Sequence, residues 1–161
     1  ACGFRPLYAD ASSGGGATVQ ELAAIDVGVI ADRSGQRLRT LLIQRLNPRG
    51  RPSSPAYRLD VGLREVTQDL GIQEDDVATR ANLHTSAAIR LTDLVTGEVV
   101  LTRDLRTITS YNILIDEFAT IANERDARER ALRQIAEDIR LQLALHFDRA
   151  AEGLAAATSP P

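Results

Sequence analysis

Apolar and polar residues alternate with a period of two, and then of three to four, along most of the chain. From Leu22 to Asp32 the segment LAAIDVGVIAD puts Ile25, Val27 and Val29 on one face and Asp26 and Gly28 on the other, which predicts a first strand. Ser34 then stands where a helix cap is expected. Leu38, Leu41, Leu42 and Leu46 recur at helical spacing until Asn47-Pro48 ends the run, with Arg37, Arg39 and Arg45 off that stripe. From Tyr57 to about Val66, Tyr57, Leu59, Val61 and Leu63 alternate with Arg58, Asp60, Gly62 and Arg64, giving a second strand with one dry and one wet face. The segment Leu70 to Asp76, with Gly71 and the acidic run Glu74-Asp75-Asp76, suits a hairpin connection. A third strand follows from Val77 to Leu91, with Leu83, Ala87, Ile89 and Leu91 opposed to Arg80, Asn82, His84, Ser86 and Arg90. Thr96-Gly97 supplies a turn, and Val99, Leu101 and Leu105 share a face in a fourth strand. From Asp116 to about Arg149 the residues Phe118, Ile121, Leu132, Ile135, Ile139, Leu143 and Phe147 trace a helical stripe.

The order β-α-β-β-β-α predicts a two-layer α+β domain, a four-stranded and mainly antiparallel sheet with two helices on one face. Its expected limits are 19–150. Residues 1–18, with Pro6 and Ser12-Ser13-Gly14-Gly15-Gly16, are expected to form a flexible leader, and residues 151–161 a flexible tail. Two helices on one face leave the other sheet face uncovered. Arg58, Asp60, Arg64, Arg80, Asn82, His84, Arg90, Asp104 and Arg106 are expected to project from it. Such a face is either a solvated surface or a partner-binding one, and guanidinium groups suit phosphates and carbonyl groups. The candidate contact residues are therefore Arg58, Arg64, Arg80, Arg90 and Arg106.

Composition narrows the function classes. A chain of 161 residues holds one core, and hydrophobic and charged fractions of 43% and 25% are those of a globular protein. A net charge of −3 and 4% aromatic residues argue against nucleic-acid binding. No apolar run reaches the roughly 18 residues of a spanning helix. All 19 basic residues are Arg. The chain has no Met, from which a removed beginning is expected, and its single cysteine is Cys2, which has no partner for an internal disulfide. His84 and His146 are the only histidines, with no metal-ligand spacing around them. Ser86 lacks a nucleophile-elbow context, and Gly14-Gly15-Gly16 lacks the following Lys of a phosphate-binding loop. No enzymatic activity, metal or cofactor is expected.

The opening Ala1-Cys2-Gly3-Phe4-Arg5-Pro6-Leu7-Tyr8, the pair Tyr111-Asn112 and the string from Phe118 to Arg125 (FATIANER) together resemble the LptE family of lipopolysaccharide-assembly lipoproteins, in its alphaproteobacterial form. The resemblance spans nearly the whole chain. It implies a signal peptide cleaved before Cys2, acyl chains on that residue as the lipid anchor, and sorting to the periplasmic side of the outer membrane, with Gly3 in place of a retention Asp. Several acyl chains together hold a protein firmly to a bilayer. The resemblance further implies a complex with the β-barrel LptD, which the protein plugs, and a role in barrel assembly and in delivering lipopolysaccharide to the cell surface. Direct contact with lipopolysaccharide is possible under the same resemblance, although the hairpin that is basic in enterobacterial relatives carries Glu74-Asp75-Asp76 here. The alternative is a free-standing periplasmic lipoprotein that carries a lipid or peptide between sheet and helices, in a cavity lined by Leu59, Leu83 and Ile135.

Overall fold

The computed structural model describes residues 15–72 and 78–158. Its elements are α1 (Gly15–Ala23), β1 (Ile25–Val27), α2 (Asp32–Leu46), β2 (Tyr57–Ile72), β3 (Ala78–Asp93), β4 (Val99–Asn112) and α3 (Glu117–Thr158). The strands form one sheet in the order β1-β2-β3-β4, with β1 parallel to β2 and the other neighbours antiparallel. This is the α+β architecture that the alternation predicts, with three helices in place of two. Cys2 and Glu74-Asp75-Asp76 lie outside the described residues.

The core sits between the sheet and the helices. Leu22 of α1, Leu38 and Leu42 of α2, and Leu132, Ile135, Ile139, Leu143 and Phe147 of α3 pack with Leu59, Val61, Ala87, Ile89, Leu91 and Leu101 of the strands. The strand members are all odd-numbered, as a period of two requires when one face is dry. Each fully buried Leu or Ile contributes about 2 kcal/mol of transfer free energy, so this cluster is the main force holding the layers together.

Several local expectations are corrected. The first strand spans three residues, because the chain leaves β2 after Gly28 donates its amide to Leu59 O at 2.9 Å. Val29 is therefore 80% exposed, while Ile30 turns inward and is buried. Residues 15–18, read as leader, begin α1, where Thr18 and Leu22 are buried. Ser34 does not cap α2; its Oγ donates to Glu65 Oε2 of β2 at 3.0 Å, and Gln36 Nε2 reaches back to Ile30 O at 2.7 Å. Val99 is exposed, since a register shift beside Leu91/Thr92 disturbs the start of β4. The final helix continues through Gly153 to Thr158, across a stretch whose composition predicts a tail.

The hairpin of β2 and β3 is longer than the alternation suggests, its ladder extending to Leu70↔Arg80 and Ile72↔Ala78. Asp116 starts α3 as expected, its Oδ1 accepting the amide of Phe118 at 2.9 Å. The apolar stripe of α3 nevertheless begins later: Leu132 to Phe147 are buried, but Phe118 is 85% exposed and Ile121 borders on exposed. At 100° per residue Phe118 points as Ala136 does and Ile121 as Ile139 does, and both of those are buried, so the early apolar residues keep the direction of the stripe and are exposed through what faces this end of the helix.

Candidate functional site

The uncovered sheet face is built from the even-numbered residues of β2, β3 and β4. Cross-strand register orders it in rows: Asp60, Arg90 and Thr102; Gly62, Ala88 and Asp104; Arg64, Ser86 and Arg106; Val66, His84 and Ile108; Gln68, Asn82 and Ser110; Leu70, Arg80 and Asn112. Arg58, Arg64, Arg80, Arg90 and Arg106 all lie on this face and are exposed, as the alternation requires. Five guanidinium groups thus stand against the carboxylates of Asp60 and Asp104, with Asp26 of β1 beside Arg58 as a third, on a chain whose overall charge is −3. The negative charge is concentrated elsewhere.

The five arginines do not form one cluster. Arg64 and Arg106 flank Ser86 in a single row and, with Val66, His84 and Ile108, line a shallow groove of about 380 Å³. Val66 and Ile108 are half-exposed apolar side chains on either side of His84, so the groove joins two cations to an apolar strip. His84 Nε2 lies 3.2 Å from Gln68 Oε1, and Ser110 Oγ donates to Asn82 Oδ1 at 2.7 Å, which orders the polar rows beyond it. At one end Arg58 Nε sits 3.1 Å from Asp60 Oδ1, with Arg90 directly opposite Asp60 on the neighbouring strand. At the other end Arg80 borders a separate cleft of about 210 Å³ with Tyr111, Asn123 and Arg130. Ten residues of β3 separate Arg90 from Arg80, about 33 Å along the strand.

A second concave surface has no counterpart in the sequence reading. A cleft of about 540 Å³ opens between the start of α2 and the first third of α3, lined among others by Arg33, Arg37, Glu65, Arg125, Arg128 and Glu129. Ion pairs close it: Arg37 Nη2 lies 2.6 Å from Glu129 Oε1, and Arg128 Nε 3.2 Å from Glu65 Oε2. The Arg37 hydrogen bond holds the Glu129 carboxyl below its ordinary range, against an opposing effect of burial. Arg37 and Glu129 are 92 positions apart, so no local pattern announces their meeting.

The interior itself is filled. Leu59, Leu83 and Ile135 are fully buried, and each of these cavities opens at the surface. None is lined by those three residues, so the cavity expected of a carrier is not found among the described residues. Nor does any group of three or more His, Cys, Asp or Glu side chains among them converge as a metal site. No described helix is long and apolar enough to cross a membrane.

Comparison with known proteins resolves the family. A model of LptE, described as lipopolysaccharide-assembly, matches residues 22–143. The chain belongs to the LptE family. The matched segment of this LptE chain runs from the end of α1 through the whole sheet and most of α3, and so contains all five arginines of the uncovered face. A putative lipoprotein from Caulobacter crescentus is similar in structure, with a TM-score of 0.68, 26% identity, and coverage of 84% of this chain and 98% of that one. A minor lipoprotein from Acinetobacter baumannii superposes with a TM-score of 0.61 at 18% identity, covering 75% of this chain and 90% of that one. An uncharacterized lipoprotein B from Nitrosomonas europaea gives 0.56 at 15% identity, over 74% and 79% of the two chains. The last two likenesses speak for the fold alone. No curated protein sequence matches the chain. Lipopolysaccharide assembly is thus the system in which this LptE protein belongs, and its setting is the cell envelope.

Proposed function

We propose that this protein is an outer-membrane lipoprotein, anchored through acylated Cys2 and facing the periplasm, that seats in the LptD β-barrel as a plug. There it assists barrel assembly and the delivery of lipopolysaccharide to the cell surface. It acts by contact and not by catalysis. The observation that carries this reading is the uncovered sheet face, whose five arginines and interleaved Asp, Asn, Gln, Ser and Thr residues are solvated while the opposite face is sealed by helices. The lumen of a transmembrane β-barrel is polar and hydrated, so a sheet that keeps one wet face can enter it without burying unpaired charge. Arg64 and Arg106 beside the Val66 and Ile108 strip give that face a place for an anionic, partly apolar ligand, which makes direct lipopolysaccharide contact part of the proposal. A free-standing carrier is the weaker reading, because Leu59, Leu83 and Ile135 are consumed by the core.

The test is extraction of the acylated chain from cells in detergent. The barrel is expected to co-purify in a defined ratio, and depletion is expected to leave misassembled barrel and less surface lipopolysaccharide. Cys2→Ala is expected to release a folded protein from the membrane. An acylated protein recovered without the barrel, from cells with normal surface lipopolysaccharide, sinks the reading.

A further inference from the structure

The distal third of the molecule reverses the usual placement of apolar and polar residues. Ile115 is fully exposed, Phe118 is 85% exposed, and Leu114 and Ile121 retain 48% and 36% of their surface. Phe118 and Ile121 are neighbours at i,i+3 on one side of α3, and Ile115 immediately precedes the Asp116 cap. Together these side chains expose on the order of 500 Å² of apolar surface, a size at which the largest patch of a monomer is often functional.

The protein's own fold does not cover them. On the sheet side of this part of α3 Ala81 and Leu83 are buried, but their row-mates on β4 are Tyr111 and Thr109, with Thr85 and Thr107 in the next row, a more polar floor than the Ile89, Leu91 and Leu101 of the proximal half. Polar bonds fasten the helix to that floor: Arg128 Nε to Glu65 Oε2 at 3.2 Å, and Asn123 Nδ2 to Asn112 O at 3.1 Å. Rolling Phe118 inward would break these pairs.

We infer that Ile115, Phe118 and Ile121 form a docking knob for a protein partner bearing an apolar pocket with a neutral or basic rim. The charge around the knob selects that chemistry. Asp116 and Glu117 stand beside it, and the nearest cation along the helix is Arg125. Two carboxylates next to the apolar residues disfavour an anionic lipid surface and suit a basic rim. Under the plug reading, on which this assignment of the partner rests, the pocket belongs to the barrel.

The test compares acylated full-length wild type with the Ile115→Asp/Phe118→Asp double variant and with Phe118→Leu, each co-expressed with the barrel and extracted in detergent. The double variant is expected to recover at least fivefold less barrel at an unchanged melting temperature, with Phe118→Leu near wild type. Equal recovery by the double variant overturns the knob and leaves the plug intact. A wild type that recovers no barrel overturns the plug reading and this inference with it. In a parallel arm, Cys2→Ala protein is floated with neutral phosphatidylcholine vesicles. Flotation that Phe118→Asp abolishes overturns the protein-partner assignment in favour of lipid.

Discussion

The side-chain amide of Asn47, at the end of α2, donates to the carbonyl oxygen of Ala23, at the end of α1, across 2.9 Å. The same nitrogen lies 3.3 Å from Ile25 O of β1, and Asn47 is 5% exposed. One buried polar group therefore ties two helices to the short parallel strand, at the place where β1 has least sheet to hold it. Asn47→Leu leaves two carbonyl groups without this donor, and a loss of about 1–3 kcal/mol is expected. Urea unfolding measures it. A midpoint equal to wild type would mean that the tie contributes nothing.

Two glycines are expected to respond in opposite directions to the same substitution. A methyl group on Gly35 would lie 2.7 Å from Ile30 Cγ2 and 3.1 Å from the Ile30 carbonyl carbon, and the latter is backbone that cannot move aside. Overpacking outweighs the gain in helix propensity, and Gly35→Ala is expected to cost about 1–2 kcal/mol. Gly153, in the exposed last turns of α3, has nothing within 4 Å of such a methyl group. Gly153→Ala is expected to stabilise by a few tenths to about 1 kcal/mol. Thermal melts of the two variants, shifted to opposite sides of wild type, are the expected result.

Stability is expected to fall with acidification in two stages. Burial, with Arg103 and Arg149 nearby, lowers the pKa of His146 from 6.5. The folded state thus binds this proton less readily than the unfolded state. The contribution is fully present above the unfolded value and is lost as pH drops below about 6.5 through the folded value. Hydrogen bonds from Arg37 to Glu129, and from Arg140 and Arg45 to Glu137, lower those carboxyl pKa values from 4.5. Their contribution is present above about 4.5 and disappears as pH falls through the depressed values. Melting temperatures across pH 3–8 are expected to show a plateau, a shallow decline below about 6.5 and a steeper one below about 4.5. His146→Gln is expected to remove the shallow stage alone.

Charge reversal on the uncovered face separates a binding surface from a merely solvated one. Arg64→Glu/Arg106→Glu changes two exposed side chains in the row that flanks Ser86. It is expected to leave stability within about 0.5 kcal/mol of wild type, since exposed sites away from packing tolerate substitution. Binding of the barrel or of lipopolysaccharide is expected to weaken at least tenfold, more at low salt than at high. Titration of the variant and wild type against each, at two ionic strengths, measures this; unchanged affinity leaves the arginines as ordinary surface groups.

Much of this architecture is present in the amino-acid order alone. A period of two over Tyr57–Leu63 and Leu83–Leu91 assigns each residue to a wet or dry face, because successive side chains on a strand point opposite ways, and that places Arg58, Arg64, Arg80, Arg90 and Arg106 on one surface. The spacing Leu38, Leu41, Leu42, Leu46 likewise determines the buried side of α2. What those periods do not carry is distance between elements. Only the tertiary structure ends β1 at Val27, sends Ser34 to Glu65, brings Arg37 to Glu129 and puts threonines beneath the first turns of α3. Periodicity is a property of neighbours along the chain. The exposure of Phe118, which stands five full turns before buried Ala136 and so keeps its direction, is decided by what lies across the gap and not by the period.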